Sequence, residues 1–283
     1  MVSIIILSYN TSGLISACLR SIFTYVKGIE FEVIVVDNNS HDQTVHIIKT
    51  TFPNVRVIES KTNLGFGKGV NLGASHAKGD VLLFLNSDTE FFDESLSSMV
   101  NFLRDSKDQK VAVVGGSLIN KNNATSSSYN SFYHLGRVFS LLFHEKDVSK
   151  ILKKPTRVDW VSGGFMLIWK DIFEKFHGFD KGYFMYIEDM DLCFRLSKKG
   201  FYTFFYPETK VRHIGQGSSN RSFAIIQIYK GLLYFYKSHK PTWQYLLLKI
   251  MLITKATSAV IIGILTGNTY LRKTYVPALR EIL

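Results

Sequence analysis

The chain has 283 residues, 46% of them hydrophobic, and it carries a formal net charge of +11. This composition excludes an intrinsically disordered chain and provides enough apolar residues for one large domain or two coupled halves. The basic excess favours polyanionic partners such as phosphorylated substrates, anionic lipid or nucleic acid. We expect a cytoplasmic protein without a signal peptide, because no basic stretch precedes the first apolar segment.

The first half of the chain alternates short apolar runs with segments of helical periodicity. Strands are predicted at residues 4–7, 31–36, 55–58 and 81–85, and helices at 14–24, 42–51 and 93–104, with a further helix from a glycine-rich loop to about residue 78. Alternating strands and helices are typical of a parallel sheet. The predicted fold class is therefore α/β.

The second half is less regular. Strands are predicted at 111–114, closed by Gly115 and Gly116, and at 201–206 and 210–213. Between them, Glu188 and Asp189 open a predicted helix that has acids in its first turn and bases in its last, as the helix macrodipole favours.

Polar side chains follow three of the predicted strands: Ser8-Tyr9-Asn10, Asp37-Asn38 and Asn86-Ser87-Asp88. Ligands of parallel sheets bind beyond the carboxyl ends of the strands, so we expect these residues to meet at one edge. A carboxylate there, Asp88, is well placed to hold a divalent cation against a diphosphate. The alternative is that Asp88 only caps the helix at 93–104.

A glycine-rich loop at residues 63–71 precedes the fourth strand. Its glycines at 65, 67 and 69 do not form a dinucleotide-binding fingerprint, and no Walker lysine motif is present. Glycines that open a helix let the backbone approach a nucleotide closely, or they serve a turn that needs a positive φ angle.

Two further sites carry candidate chemistry. Glu188-Asp189-Met190-Asp191 places three carboxylates in one helical turn, either as caps or with one acting as a general base. His213 follows a predicted strand and precedes a glycine-rich turn, which suits a metal or phosphate ligand as well as a structural histidine.

The tail from about residue 229 is basic and apolar. Its only acid is Glu281, and its bases are Lys230, Lys237, Lys240, Lys249, Lys255, Arg272, Lys273 and Arg280. Its longest uncharged run, at 256–271, is shorter than the ~20 residues of a spanning helix. We expect one or two helices lying in the membrane interface. The alternative is helices packed on the core or on a second subunit.

Taken together, these motifs resemble family 2 glycosyltransferases of the GT-A fold, and specifically bacterial rhamnosyltransferases of cell-wall and O-antigen polysaccharide assembly. The matching residues, in family order, are Ser8-Tyr9-Asn10, Val36-Asp37-Asn38-Asn39-Ser40, the loop at 63–71, Asn86-Ser87-Asp88, Gly163-Gly164, Glu188-Asp189-x-Asp191-Leu192-Cys193-x-Arg195, and His213 with Gly215 and Ser218. The resemblance implies a mostly parallel central sheet flanked by helices, with C-terminal amphipathic helices.

The resemblance also implies roles for individual residues. Asp189 is expected to be the catalytic base with Glu188 beside it, and Asp88 and His213 are expected to hold Mg²⁺ or Mn²⁺. The expected nucleotide-sugar contacts are Ser8, Tyr9, Asn10, Asp37, Asn38, Gly65, Lys68, Asn86, Ser87, Gly163 and Gly164. Asn86 departs from the family, where many relatives have the first aspartate of a D-x-D motif. A neutral residue there is compatible with a deoxyribose donor such as dTDP-rhamnose.

The implied function is an inverting, metal-assisted transfer of L-rhamnose from dTDP-rhamnose to a hydroxyl of a lipid-linked (polyprenyl diphosphate) or polysaccharide acceptor. The alternatives are a UDP-sugar-dependent enzyme of the same fold and a non-catalytic sugar-nucleotide-binding subunit of a polysaccharide-assembly complex. Nucleic acid is not an expected partner, because no binding motif accompanies the basic charge.

The expected organisation has a glycosyltransferase domain at residues 1–228, with a nucleotide-sugar half at 1–115 and an acceptor half at 116–228. A helical tail follows at 229–283. The protein is expected at the inner face of the cell membrane, and a homodimer through the C-terminal helices is an open alternative for the tail.

Overall fold

The structure, a computed structural model, describes residues 1–120, 125–126, 128–143, 152–214 and 221–283. The chain forms two compact units. The first unit comprises Met1–Ser131, Lys150–Asp180 and Asp189–Ser218, and the second comprises Phe132–Ser149, Lys181–Glu188 and Ser219–Leu283. The functional division expected at residue 228 stays a prediction.

The strands of the described residues all belong to the first unit. They are β1 (Val2–Ser8), β2 (Phe31–Asp37), β3 (Arg56–Glu59), β4 (Val81–Asn86), β5 (Thr89–Phe91), β6 (Val111–Ile119), β7 (Thr125–Ser126), β8 (Tyr129–Asn130), β9 (Thr156–Val158), β10 (Trp160–Val161), β11 (Phe165–Trp169) and β12 (Tyr202–His213).

Among the described residues, six α-helices belong to the first unit, apart from the first residue of one of them, and four belong to the second. They are α1 (Ile15–Tyr25), α2 (Thr44–Thr51), α3 (Phe66–Ala74), α4 (Leu96–Asp105), α5 (Leu135–Phe143), α6 (Lys170–Lys175), α7 (Glu188–Ser197), α8 (Arg221–His239), α9 (Thr242–Leu265) and α10 (Thr269–Ile282). Of these, α5 lies in the second unit, and α7 begins at its boundary.

The main sheet has the order β3-β2-β1-β4-β11-β6-β12-β5. The first four strands are parallel, β6 is parallel to β12, and β11 runs antiparallel between β4 and β6. The predicted α/β class with a mostly parallel sheet is confirmed. Because the chain moves outward from β1 to β3 and then returns to β4, the order of the strands reverses between β1 and β4. This reversal is where a parallel sheet opens a ligand crevice.

The core lies on both faces of the sheet. Alternate residues of a strand point to opposite faces, and in β4 Leu83 packs into the large cluster with α1 and α4. Its neighbour Phe84 instead contacts Phe173 and Phe179, with ring centroids 5.0 and 5.3 Å away. Strands buried on both faces need continuous apolar sequence, which explains the runs that predicted them.

Strand β6 is longer than the sequence predicted. Gly115 and Gly116 were expected to close it, but the strand continues through both to Ile119. A Cβ atom on Gly115 would lie 2.4 Å from Val161, and one on Gly116 would lie 2.1 Å from the Phe165 ring. The two glycines are therefore present because neighbouring side chains fill the space, and they do not break the strand.

Strand β12 likewise joins two strands that were predicted separately. It runs from Tyr202 to His213, and its register with β6 shifts between Tyr206 and Lys210. The irregularity at this shift is what looked like a break in the sequence. It also brings His213 into register with Thr89 of β5.

The second unit contains helix α9, which packs against α5, α8 and α10. Its buried residues recur at intervals of three or four: Leu248, Leu252, Ala256, Ala259 and Gly263. This spacing places them on one face of the helix. One or two tail helices were expected, and the structure has three, since the helical region begins at Arg221 before the predicted tail.

Helix α7 is anchored to the preceding turn by a buried ion pair. Arg195 Nε lies 2.7 Å from Oδ2 of Asp191, whose side chain is fully buried. The same guanidinium donates to the carbonyl oxygens of Phe176 and Gly178 at 2.6 and 2.7 Å. Asn71 of α3 holds the next residue of that turn by accepting from Phe179 N–H and donating to its carbonyl. Helix α7 is thus fixed, through this turn, to the helix that follows the glycine-rich loop.

This ion pair generates a stability prediction. Replacing Arg195 with Met removes the cation beside a buried carboxylate, so the free energy of unfolding should fall by about 3–5 kcal/mol. Urea denaturation measures the change. The double variant Asp191→Leu/Arg195→Met should cost less than the sum of the two single variants, because it removes both charges. Lys199→Met, at an exposed position just beyond α7, is the control and should change little. Additive costs for the two single variants would contradict the prediction.

Candidate active site

The carboxyl ends of β1, β2 and β4 lie side by side. The register pairs Ser8 with Asp37 and Leu7 with Asn86. The prediction that the polar residues after these strands meet at one edge is confirmed. This edge coincides with the reversal in strand order, where ligands bind in open α/β sheets.

The turn after β1 is tied to the turn after β2. Ser8 is buried, Tyr9 is partly exposed and Asn10 is exposed. Asn10 N–H donates to Ser40 Oγ at 2.8 Å, and Asn10 Oδ1 accepts from His41 N–H at 2.8 Å. These two hydrogen bonds fix the turn that carries Tyr9.

Asp37 is 3% exposed, and its two carboxylate oxygens differ. Oδ2 accepts from Ser40 N–H at 2.9 Å. Oδ1 is buried and accepts no hydrogen bond from any residue that the structure describes. Leaving a buried charged acceptor unpaired costs free energy, so this oxygen is suited to accept a hydrogen bond from a bound ligand.

Asn38, in contrast, already uses its amide within the chain. Its Nδ2 donates to Asn63 Oδ1 at 2.9 Å and to the Gly65 carbonyl at 3.2 Å, and its Oδ1 accepts from Leu64 N–H at 2.9 Å. These bonds fix the glycine-rich loop where Gly65 adopts a positive φ of 78° before α3. Lys68 is exposed on the first turn of that helix.

The end of β4 is packed closely against the backbone that precedes β11. Asn86 N–H donates to the Gly164 carbonyl at 3.1 Å. A Cβ atom on Gly164 would lie 2.7 Å from Asn86 Nδ2, so a side chain at position 164 would displace the amide. Ser87, the next residue, is buried. The side chain of Asn86 therefore occupies its position because residue 164 is a glycine.

Asp88 does not cap a helix. Strand β5 follows it directly, and α4 begins only at Leu96, so the capping alternative is wrong. Asp88 Oδ2 instead lies 3.2 Å from Nε2 of His213, with the two side chains 9% and 30% exposed. The hydrogen bond to the Asp88 carboxylate raises the pKa of His213 above its ordinary value, although burial opposes this.

The donor set at Asp88 and His213 fits a divalent cation with few protein ligands. No cluster of three or more metal-binding side chains occurs within the described ranges. Neighbouring ligands of an octahedral Mg²⁺ or Mn²⁺ ion lie about 3 Å apart, given bond lengths of ~2.1 Å. The 3.2 Å separation of the Asp88 and His213 atoms matches that spacing. Such an ion commonly takes its remaining ligands from water and from substrate phosphates.

Asp189 lies at the beginning of α7, and both of its oxygens accept backbone hydrogen bonds. Oδ2 accepts from Gly163 N–H at 3.0 Å, and Oδ1 accepts from Met190 N–H at 2.8 Å. Burial nevertheless raises the pKa of Asp189, because desolvation of the anion outweighs these bonds. Since Gly163 adjoins the Gly164 that contacts Asn86, Asp189 is connected through two contacts to the strand that leads to Asp88.

Of four further residues that the sequence singled out, the structure describes two. Glu188 is buried. Gly163 lies between Asp189 and the Phe66 ring, where a Cβ atom would be 3.0 Å from the ring. Gly215 and Ser218 lie outside the described residues. The structure thus brings Ser8, Asp37 and Asn86 together at one edge of the sheet, and contacts through Gly163 and Gly164 connect Asp189 to it. The roles of these residues stay predictions.

Sequence reasoning assigned no role to two residues that shape this edge. Ser40 donates its N–H to Asp37 and accepts from the Asn10 N–H, and Asn63 accepts from Asn38. A sequence signal existed for Asn63, because an asparagine two residues before a glycine commonly stabilises a turn. No comparable signal predicts that Ser40 joins two separate turns.

Comparison with known proteins gives the family. The family described as glycosyl transferase family 2 matches residues 3–176, and a second, described as the N-terminal domain of galactosyltransferase, matches residues 147–216. The chain is 26% identical over 211 residues to the N-acetylglucosaminyl-diphospho-decaprenol L-rhamnosyltransferase of Mycobacterium tuberculosis, covering 67% of this chain and 68% of the relative. It is 31% identical over 170 residues to the rhamnosyltransferase WbbL of Escherichia coli K12, covering 56% and 64%.

Solved structures of glycosyltransferases share the fold. GalNAc-T7, crystallised with UDP, GalNAc and Mn²⁺, matches with a TM-score of 0.61 and 18% identity over 84% of this chain and 50% of its own. The mannosyltransferase PcManGT of Pyrobaculum calidifontis, solved with GDP-Man and Mn²⁺, matches with a TM-score of 0.60 and 16% identity over 99% and 85%. With a family match that covers more than half of the chain, this protein belongs to glycosyltransferase family 2 and has the GT-A fold.

Proposed function

We propose that this glycosyltransferase transfers L-rhamnose from dTDP-rhamnose, with inversion, to a hydroxyl of a lipid-linked saccharide. The observation that carries the proposal is Asp189, a carboxylate held by two backbone N–H groups and connected through Gly163 and Gly164 to the strand end that bears Asp88. The names of the similar rhamnosyltransferases support the choice of sugar.

The donor assignment rests on the two strand ends that face the crevice. Asp37 Oδ1 has an unused acceptor position, which suits a hydrogen bond from the nucleoside. Asn86 is neutral where the family resemblance implies the first aspartate of a D-x-D motif, and a carboxylate there would pair well with the hydroxyls of a ribose. The amide is compatible with deoxyribose, so the proposal favours a dTDP donor.

In the proposed reaction, the acceptor oxygen attacks the anomeric carbon from the side opposite the diphosphate. The new glycosidic C–O bond forms as the bond to the phosphate oxygen breaks, and the nucleoside diphosphate leaves. Asp189 accepts the proton of the attacking hydroxyl. Burial raises the pKa of Asp189, which makes its carboxylate a stronger base than that of an exposed aspartate.

Asp88 and His213 would hold Mg²⁺ or Mn²⁺, which supplies Lewis-acid neutralisation of the leaving diphosphate when bound. Without a cation, the Asp88 carboxylate and the partly buried His213 form a hydrogen-bonded pair. Their role is to keep two ligand atoms at the carboxyl end of β4, adjacent to the residues proposed to hold the nucleotide. The Mn²⁺ ions named for the two solved structures support a divalent cation here.

The proposed acceptor is a saccharide on a polyprenyl diphosphate in cell-wall polysaccharide assembly. The Mycobacterium tuberculosis relative is named for a decaprenol-linked acceptor. The region 221–283 has nine basic residues and only one acid, so its charge suits an anionic lipid. A UDP-sugar donor and a non-catalytic nucleotide-binding subunit are the competing candidates that the experiments below separate.

We further propose that the protein binds the cytoplasmic face of the membrane through α9. By length and composition alone, α9 is also long and apolar enough to cross a bilayer, and 28% of its most apolar window is buried inside the chain. The side opposite its buried residues exposes Thr254, Thr257 and Ser258 together with eight large apolar side chains: Trp243, Leu246, Leu247, Ile250, Ile261, Ile262, Ile264 and Leu265. A second copy of the chain is the alternative occupant of this face.

A substitution of Asp189 tests its proposed role as the base. Asp189→Asn should lower kcat by about 10²–10⁴-fold with little change in the affinity for the nucleotide sugar, because the amide cannot accept the proton. Steady-state rates and calorimetric donor titration measure the two effects. The amide oxygen can keep only one of the two backbone hydrogen bonds, so the donor titration also checks that the sheet edge is intact. Asp105→Asn, at an exposed position at the end of α4, is the matched control. An Asp189→Asn enzyme with full turnover would remove Asp189 from this role.

The dependence of activity on pH is a second test of the role of Asp189. Because burial raises the pKa of Asp189, the carboxylate becomes protonated at a pH above the ordinary aspartate value. Activity should therefore rise with pH through this raised pKa and fall on acidification, and residual Asp189→Asn activity should lack that limb. An unchanged limb in the variant would assign it to another group.

A nucleotide panel tests donor and cation together. At a hundred times the dissociation constant, a ligand stabilises the folded state by ~2.7 kcal/mol, which should raise Tm by about 5 °C. We expect the largest shift with dTDP-rhamnose and Mn²⁺, a smaller one with UDP-sugars, and loss of the cation-dependent part in Asp88→Asn. Equal shifts with and without cation would contradict the metal role, and binding without any turnover would favour the non-catalytic subunit.

Vesicle sedimentation tests the proposed membrane surface. The full chain should sediment with anionic phospholipid vesicles, and less so with zwitterionic ones or at high salt. Ile250→Glu/Ile262→Glu should reduce the bound fraction several-fold, because both exposed side chains would place a charge in the apolar layer. Asn101→Glu/Gln109→Glu, at two exposed positions in the first unit, is the control for added charge. Light scattering that shows a wild-type dimer, converted to a monomer by the double variant, would assign this face to a second subunit.

A further inference from the structure

The second unit contains a cavity between one face of α8 and the loop that precedes α7, which we call the α8 cavity. Its volume is about 430 Å³, within the range of ~300–1,000 Å³ that small-molecule sites occupy. The lining residues from α8 are spaced as one helix face: Phe223, Gln227, Lys230 and Gly231. The loop contributes Phe184 and Met185 opposite them.

The loop is held on α8 by close aromatic contacts. A Cβ atom on Gly182 would lie 2.2 Å from the Tyr234 ring, so the loop approaches the helix only because this residue is a glycine. Tyr183 packs edge-on against Tyr234 at 4.9 Å, and Phe184 packs edge-on against Phe223 at 6.2 Å. The walls of the α8 cavity are therefore fixed before any ligand binds.

The end of this loop has a strained backbone. Tyr186 and Ile187 adopt positive φ angles of 69° and 73°, and for a β-branched residue such an angle is a true outlier. Gly231 of α8 accommodates them, since a Cβ atom there would lie 2.8 Å from the Ile187 side chain. Strain of this kind persists at ligand-binding segments where the surroundings enforce it. In the sequence, Glu188 and Asp189 follow at once.

The charged group of the α8 cavity is Lys230. Its Nζ lies 3.1 Å from Oε2 of Glu281, and the two side chains are 46% and 42% exposed. An ion pair this exposed contributes only ~0–1 kcal/mol. A phosphate can therefore replace the Glu281 carboxylate at Lys230 with little loss.

We propose that the α8 cavity binds the phosphorylated isoprenoid end of the acceptor lipid, an inference that rests on the proposed function. The isoprene units lie against Phe184, Met185 and Phe223, and a phosphate oxygen accepts from Lys230 in place of Glu281. The loop that forms this site leads in the sequence to the proposed base. The α8 cavity thus accounts for recognition of the lipid, while the residues at the sheet edge perform the transfer.

The lining favours this ligand over a saccharide alone. A sugar requires several convergent polar groups for its hydroxyls. The α8 cavity instead combines aromatic and thioether surfaces with the amide of Gln227 and a single cation, Lys230. An apolar chain that ends in a phosphate matches both features. The same unit contains the exposed apolar side chains of α9, so the site and the proposed membrane surface belong to one compact unit.

The first experiment measures binding without turnover, with farnesyl diphosphate as the probe and the full chain in detergent micelles. Lys230→Met should weaken calorimetric binding about 10-fold or more, because a charge-assisted contact is lost. Phe223→Ala should also weaken it, and Glu281→Gln should strengthen it up to about 5-fold by removing the competing carboxylate. Lys237→Met, exposed on the same helix, is the control and should not change it.

Two further probes separate the parts of the ligand. Farnesol should bind more weakly than farnesyl diphosphate to the wild type and should not distinguish Lys230→Met from it. Inorganic diphosphate should show no measurable competition, because it lacks the apolar chain. If inorganic diphosphate displaces the probe completely, or if Lys230→Met and Phe223→Ala bind the probe as the wild type does, the inference is overturned.

Kinetics link the site to the reaction. Lys230→Met should raise KM for a polyprenyl-diphosphate acceptor about 10-fold, while kcat/KM for the same saccharide without its lipid stays unchanged. An equal effect on both acceptors would overturn the lipid assignment. If the protein binds farnesyl diphosphate as expected but transfers no rhamnose, the donor proposal fails and the α8 cavity stands. If the protein transfers rhamnose but Lys230→Met and Phe223→Ala bind farnesyl diphosphate as the wild type does, the assignment of the α8 cavity fails and the donor proposal stands.

Discussion

The close backbone approach at Gly163 and Gly164 is the constraint on which the candidate site depends. Gly163 N–H donates to Asp189, and the Gly164 carbonyl accepts from Asn86 N–H. A side chain at position 164 would meet the Asn86 amide at 2.7 Å, and one at 163 would meet the Phe66 ring at 3.0 Å. Two consecutive residues without side chains therefore connect the proposed base, the proposed nucleotide edge and the helix after the glycine-rich loop.

The strand ends could be predicted because burial restricts the sequence of a parallel strand. β4 is apolar up to Leu85 and polar immediately afterwards, so its end and the position of Asp88 are apparent from the sequence. The interior of the sheet was less predictable. Gly115 and Gly116 predicted the end of a strand. Glycine is needed at these positions because the side chains of Val161 and Phe165, which are distant in the sequence, fill the adjacent space. Contacts between distant residues, such as Arg195 with the carbonyl of Phe176, leave no local pattern.

Asp37 and Asn38 belong to one sequence motif, but their side chains differ in how many of their hydrogen-bonding positions are used within the described chain. Asp37 and Asn38 are adjacent and both buried. Asn38 makes three hydrogen bonds that hold the glycine-rich loop, whereas Asp37 keeps one buried oxygen that no described residue satisfies. A saturated amide shapes the crevice, and an unsatisfied carboxylate oxygen is a place for a ligand donor. The sequence motif contains both residues, but only the coordinates separate these two physical situations.

The surroundings of Asp189 balance two opposing requirements of a general base. Two backbone N–H groups stabilise the anion and orient both oxygens, which by itself would make the carboxylate a poor proton acceptor. Burial acts in the other direction and prevails, so the pKa of Asp189 rises. A proton acceptor does not need a pKa near that of a sugar hydroxyl, because the attacking oxygen becomes acidic only as its bond to the anomeric carbon forms. Fixed orientation together with a base strengthened by burial is the combination that such late proton transfer requires.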